Sequence, residues 1–186
     1  MAGEVRQRMI DSTALLLAKR GLQATSFTEV LEASGAPRGS LYHHFPGGKD
    51  QLVLAAIGVA GDRAQSVLDR LEGKTAADVA TAFLGVWRSV LTASNFGAGC
   101  AVAAVTVAAD SSDLLASAGT VFRGWRRRLG ELLAQGGVEP GRAPALAAGL
   151  IAAAEGAVIL SRAERDLEPF DLVAAEQLRV ITAATI

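Results

Sequence analysis

A single cysteine, Cys100, stands among 186 residues. No disulfide can form within the chain, so the fold must be held by packing. Histidine is nearly as scarce, and the two present, His43 and His44, are adjacent. Neighbouring helical positions project about 100° apart, so this pair cannot clasp one metal ion, and neither a metal site nor a cofactor is expected. An excess of either charge is missing too: 18 Lys/Arg against 19 Asp/Glu leave a net charge of -1. The chain is therefore no polycation, and any contact with nucleic acid would have to come from a local basic surface. Residues 1–50 hold six basic against five acidic residues, and residues 51–186 hold twelve against fourteen, so the asymmetry is small. No basic-then-apolar leader precedes the charges that begin at Glu4, which with the lone cysteine makes a reducing cytoplasm the expected location.

Long apolar runs are also few. Residues 89–109 carry no charge and are numerous enough to span a bilayer. Thr92, Ser94, Asn95, Gly97, Gly99 and Thr106 interrupt them, however, and Leu91 and Phe96 are their only Leu, Ile or Phe residues. Two buried helices with a break between them fit better than a membrane span, and no membrane partner is expected.

What is present is a 51% hydrophobic chain patterned as helix after helix. In residues 4–20, Ile10, Ala14 and Leu17 recur at i, i+4 and i+7, with Thr13 and Leu16 beside them and Gly21 as a C-terminal stop. Ser26-Phe27-Thr28-Glu29 is a capping box, predicting a short second helix from Phe27 to Gly35 with Phe27, Val30 and Leu31 facing inward. Pro37 suits the first turn of a third helix, which Pro46-Gly47-Gly48 ends. Longer helices are predicted over residues 50–71, 76–94, 99–109, 114–135, 144–164 and 171 to the end, with Glu168-Pro169 among the breaks. Residues 101–109 come nearest to a strand-like alternation and are ambiguous. The fold class expected is all-α, with about nine helices.

Three helices with the four-residue turn Ser34-Gly35-Ala36-Pro37 between the second and third have the dimensions of a helix-turn-helix. Leu41 and Phe45, at i and i+4, would pin the third helix. Arg38, Gly39, Ser40, Tyr42 and His43 would then face outward. Arg38 suits guanine or phosphate, while Ser40, Tyr42 and His43 offer hydrogen bonds. Gly39 removes bulk where a backbone would approach a duplex. Ser26, Thr28 and Lys49 add hydroxyls, helix N-termini and a cation suited to phosphates.

Residues 25–45, TSFTEVLEASGAPRGSLYHHF, resemble the DNA-binding signature of the TetR family of transcriptional repressors in the spacing of Thr/Ser, Gly, Leu-Tyr and His-Phe. The close likeness covers roughly the first 52 residues, and helix number and length agree beyond them. The link after Phe45, Pro46-Gly47-Gly48-Lys49, is longer by a single residue than the common pattern. Together with Gly99-Cys100-Ala101-Val102 and Glu155-Gly156-Ala157, it resembles the LmrA/YxaF-type subgroup. Pro37 departs from the Ser or Thr cap of many members. The resemblance implies a helix-turn-helix DNA-binding domain at 1–48 and a ligand-binding and dimerisation domain at 49–186. It implies a homodimer formed through the last two helices that binds a palindromic double-stranded DNA operator as a repressor and is released by a small hydrophobic effector.

The remaining sequence can support those implications. Ala145, Gly149, Ala152, Ala153 and Gly156 would let a partner helix approach closely, with Leu150, Ile151, Val158 and Ile159 beside them and Leu172, Val173, Leu178 and Ile181 on the last helix; the alternative is a core within one chain. Phe83, Trp87, Phe96, Phe122 and Trp125 are five of the nine aromatic residues, and with Cys100 they could line an apolar effector pocket or be ordinary core, while Glu155 is either a hydrogen-bonder of that pocket or a group that snorkels to the interface. Arg126-Arg127-Arg128 is a solvated helix face or a second DNA-facing patch. No nucleophile, base and orienter set is present, and Gly97-Ala98-Gly99 lacks the strand and third glycine of a dinucleotide site, so no enzyme is expected. The competing reading is a helical ligand-binding or scaffold bundle without DNA binding.

Overall fold

The computed structural model describes residues 2–185. Among them nine α-helices run in order: α1 (Ala2–Arg20), α2 (Phe27–Ser34), α3 (Arg38–His44), α4 (Gly48–Asp69), α5 (Ala76–Ala93), α6 (Ala101–Ala108), α7 (Ser112–Gln135), α8 (Ala143–Glu164) and α9 (Glu168–Ala183). The extended pairing among the described residues is one antiparallel bridge, Val138 with Thr185. The all-α expectation holds, and the ambiguous stretch after Cys100 is helical. One boundary is corrected: Glu168-Pro169 is the first turn of α9 and not a break before it. Proline is tolerated there because the first helical N–H groups have no intrahelical acceptor. The uncharged run 89–109 contains the end of α5, a turn and α6.

The chain forms two compact units, one of residues up to Arg63 with Cys100–Val121, the other of Ala64–Gly99 with Phe122 onward. In the first, α1 packs on α2 and α6, and α2 on α3. Met9, Ile10, Leu17, Val30, Leu41, Phe45, Leu52 and Ile57 are buried in its core. Thr13 is buried there as well, and its hydroxyl donates to the Met9 carbonyl at 2.7 Å, so that polar group costs little. Gly21 ends α1 at φ +79° and Gly35 ends α2 at φ +63°, a left-handed backbone that glycine adopts without strain.

The capping box at α2 is complete: Ser26 Oγ accepts from the Glu29 N–H at 3.3 Å, and the Glu29 carboxylate accepts from the Ser26 N–H at 3.0 Å. Arg20, in the last turn of α1, closes on the same carboxylate at 2.6 Å and ties the two helices across the loop. The Ser26 backbone N–H is the main reason the Glu29 carboxyl lies below its ordinary pKa, with the Ser26 hydroxyl and Arg20 adding to it against desolvation.

In the second unit, α8 packs on α9 and α5, and α5 on α9. Leu91, Leu129, Leu132, Leu133, Leu150, Phe170 and Ile181 fill its core. Buried Ser161 accepts the Phe170 N–H at 3.0 Å and so satisfies the start of α9 from α8. Arg88 of α5 grips Asp171 of α9 through two hydrogen bonds, at 2.9 and 3.2 Å. The end of α7 touches the start of α5 backbone to backbone, with the Ala76 N–H donating to the Gly136 carbonyl at 3.0 Å. A Cβ on Gly136 would lie 2.3 Å from that nitrogen, so only glycine fits.

Gly136→Ala is expected to destabilise the protein by about 1–3 kcal/mol in thermal or urea unfolding. Gly85→Ala, in α5 with open space around its Cβ, should instead stabilise by about 0.5–1 kcal/mol, or change nothing measurable. Equal behaviour of the two variants would contradict this packing. A lowered folded-state pKa means that Glu29 contributes stability above its unfolded pKa and loses it as pH falls through the folded value. Urea titrations across the acid limb should therefore show Glu29→Gln losing less stability than the wild type below about pH 4.

Candidate nucleic-acid interface

The residues of α3 and its C-cap, Phe45, divide sharply by environment. Leu41 and Phe45, one helical turn apart, are 1% and 0% exposed, whereas Tyr42 is 72% exposed and Arg38, Gly39 and His43 also face solvent. The Phe45 N–H, at the end of the helix, donates to the Leu41 carbonyl at 2.8 Å. On the opposite side of the turn, Ala36 is buried, its N–H donates to Ser34 Oγ at 3.3 Å, and Arg8 of α1 donates to the Ser34 carbonyl at 3.2 Å. The turn is thus fixed from α1 as well as from α2. A Cβ on Gly39 would meet nothing within 4 Å, so glycine is not required there by the chain's own packing.

Three of the expected contact residues are already engaged. Ser40 is half-buried and its hydroxyl donates to the Pro37 carbonyl at 2.6 Å, while the N-cap position of α3, Pro37, has no side-chain cap. Ser26 donates its hydroxyl to Glu29, whose carboxylate sits at the α2 N-terminus where a phosphate would otherwise be drawn. Lys49 is half-buried and donates to the Leu22 carbonyl at 2.8 Å, which leaves two of its three ammonium protons. Thr28 is exposed on the first turn of α2. Phe27 and Leu31, expected to face inward, are only half-buried; the Phe27 ring instead meets Tyr42 edge-on, with centroids 6.2 Å apart. This contact orients the tyrosine from α2 while its ring remains in solvent.

Sequence patterning misses Arg6. It is exposed, and its guanidinium lies over the Phe45 ring at 5.3 Å, which brings a cation of α1 to the end of α3. Its only signal in the sequence is that it falls off the buried stripe, which is true of every solvated charge.

The aromatic cluster is partly assembled, in the second unit. Phe83, Trp87 and Trp125 line one small apolar cleft with Leu68 and Val86, and Phe122 stands edge-on to Trp125 at 5.4 Å. The cleft volume is about 30 Å³, room for about one water. Phe96 and Glu155 are half-buried elsewhere in that unit, and Cys100 is buried in the first unit, where its sulfur caps α6 by accepting the Ala103 N–H at 3.3 Å. Ala145, Gly149 and Ala152 form an exposed small-residue stripe on α8 that continues into Ile159, and Leu172 is exposed on α9. Leu150 and Val158, expected beside that stripe, and Ile181, expected on the partner face of the last helix, are buried within the chain itself, where α5, α8 and α9 pack together. Arg128 likewise turns away from solvent to Asp69 and Glu72, at 2.8 and 3.2 Å.

Residues 9–56 match the family described as bacterial regulatory proteins, tetR family. Residues 76–176 match the C-terminal domain of LmrA/YxaF-like transcriptional regulators. The chain is 39% identical to the HTH-type transcriptional regulator Rv0196 of Mycobacterium tuberculosis, over 97% of its own length and 95% of that protein. A stretch of 40 residues, 22% of the chain and 20% of the relative, is 48% identical to the HTH-type transcriptional repressor KstR2 of Rhodococcus jostii. Among solved structures, a TetR transcriptional regulator from Chloroflexus aurantiacus superposes with a TM-score of 0.83 at 28% identity, covering 99% of this chain and 97% of that one. The chain therefore belongs to the TetR family of helix-turn-helix transcriptional regulators, with a C-terminal domain of the LmrA/YxaF type.

Proposed function

We propose that the protein is a ligand-responsive repressor that binds a palindromic operator as a homodimer, with residues 1–48 as the DNA-binding domain and 49–186 as the ligand-binding and dimerisation domain. The observation that carries this reading is the division of α3, in which Leu41 and Phe45 are buried while Arg38, Gly39, Tyr42 and His43 are offered to solvent. Such a helix can enter a major groove without disturbing its own packing. Arg38 reads a base edge or holds a phosphate, Tyr42 and His43 donate hydrogen bonds, and Gly39 admits close approach. Thr28, Arg6 and the spare protons of Lys49 hold phosphates. Ser26 acts through the start of α2 that it caps, and Ser40 through its hydrogen bond to the Pro37 carbonyl.

The dimer reading is supported by the exposed stripe of α8. Among the described residues α8 is the one helix long and apolar enough by length and composition to cross a membrane. Its uncovered face is mainly small residues with Ile159 and Leu160, a shape that suits a second helix more than lipid. A two-headed reader of a palindrome needs the two-fold axis that such a face supplies. The effector reading rests on the cleft of Phe83, Trp87 and Trp125, which must open to admit a small hydrophobic molecule. A ligand that favours the open state by a factor of about 100 supplies about 2.7 kcal/mol of coupling against operator binding.

Arg38→Ala and Tyr42→Ala should each weaken the gel shift of an inverted repeat from the gene's own promoter region, with unchanged far-ultraviolet circular dichroism. With about eight phosphates neutralised per dimer, the log-log salt slope should be near -7; a slope near zero would favour a bundle that does not bind DNA. Ile159→Arg should convert the dimer to monomer in analytical ultracentrifugation and abolish the shift together with it. A variant that stays dimeric, or a monomer that still gives the full shift, would overturn the interface.

A further inference from the structure

Tyr42 carries an exposed ring on a short helix and has little of that helix to lean on. A helical side chain folds back over the residues three and four positions earlier. For Tyr42 these are Gly39, which has no side chain, and Arg38, which is exposed. Support comes from α2 instead. The Phe27 ring meets the Tyr42 ring at 73° with centroids 6.2 Å apart. That is an edge-to-face arrangement within the favourable range of about 4.5–7 Å.

Phe27 is itself fixed in place. It is the first residue of α2, directly after the N-cap, so the capping box of Ser26 and Glu29 sets where its backbone lies, and Arg20 ties that box to α1 at 2.6 Å. The core does not account for its ring. Val30 is the apolar residue of α2 that is fully buried, whereas Phe27 stays half in solvent and so forgoes part of the gain from burial. The neighbour it has there is Tyr42.

An unsupported phenol must be ordered when it meets a duplex, and the freedom it loses weakens binding. We propose that Phe27 is a positioning residue for DNA recognition, whose ring holds Tyr42 ready in the free protein and which acts on the duplex through Tyr42 alone. The inference rests on the reading of α3 as the element that enters DNA.

The test is a double-mutant cycle on the full-length protein, read as the Kd for a fluorescently labelled duplex carrying the inverted repeat. Phe27→Leu, which keeps apolar bulk and removes the ring, should weaken binding by about three- to tenfold with unchanged far-ultraviolet circular dichroism. The salt slope should not change, because no cation leaves a phosphate. Phe27→Tyr, which keeps the ring, should stay within about twofold of the wild type. In a Tyr42→Ala background, Phe27→Leu should alter the Kd by less than about twofold. Tyr42 is the one tyrosine of the chain, so ring-carbon labelling of tyrosine gives a single set of magnetic resonance signals. Phe27→Leu should shift that set, and Overhauser contacts between the two rings should persist in the wild-type complex with the duplex. Should Phe27→Leu fail to fold, Phe27→Met takes its place, and the ring contacts need no variant. Undiminished binding by Phe27→Leu, equal weakening with and without the Tyr42 side chain, or loss of the ring contacts on binding DNA would overturn the proposal. Undiminished binding by Tyr42→Ala would overturn the α3 reading itself, and the proposal with it.

Discussion

A helix of seven residues does not hold its own shape in water, because nucleation costs more than so few hydrogen bonds return. α3 exists only because Leu41 and Phe45 are driven into the core of the first unit, and because the preceding turn is pinned by Ser34, Gly35 and Arg8. The division of α3 follows from that constraint. Two buried anchors on one side of so short a helix leave the other side exposed, and the exposed side is where Arg38, Tyr42 and His43 stand. The capping box serves the same end. It fixes where α2 begins, and the Phe27 ring beside it steadies Tyr42 from the side.

Much of this was legible in the sequence because the signals are local. Ser26 and Glu29 at capping-box spacing, glycine at two left-handed C-caps, and proline where an N–H is dispensable mark helix ends by short-range chemistry. The same logic misled at Glu168-Pro169, since proline reads equally as a break and as a first helical turn. Faces were harder. Leu150, Val158 and Ile181 follow a helical period that says a side is covered but not by what, and here α5, α8 and α9 of the same chain cover it. The engagement of Lys49 with Leu22 and the approach of Arg6 to Phe45 depend on residues far apart in sequence, and no pattern in one segment reports them.

The second unit separates three roles that composition blends together. Its core is mainly aliphatic with Phe170 among it, Phe83, Trp87 and Trp125 meet in a tight cleft, and its α8 leaves small residues uncovered. Arginines adjacent in sequence take different fates by helical geometry: Arg128 is absorbed by two carboxylates, while Arg126 and Arg127 line an open cleft. A regulator needs this kind of division, in which a rigid scaffold carries one or more sites whose occupancy can favour one arrangement over another.

The buried position of Cys100 makes a direct measurement practical, since a thiol introduced on the surface would be labelled selectively. Tyr42→Cys carrying a short photo-cross-linker, mixed with a duplex containing the inverted repeat, should attach to bases within each half-site. The same label at Leu15, exposed on α1, should attach to none. Cross-linking from position 15 with none from position 42 would contradict the assignment of α3 as the element that reads DNA.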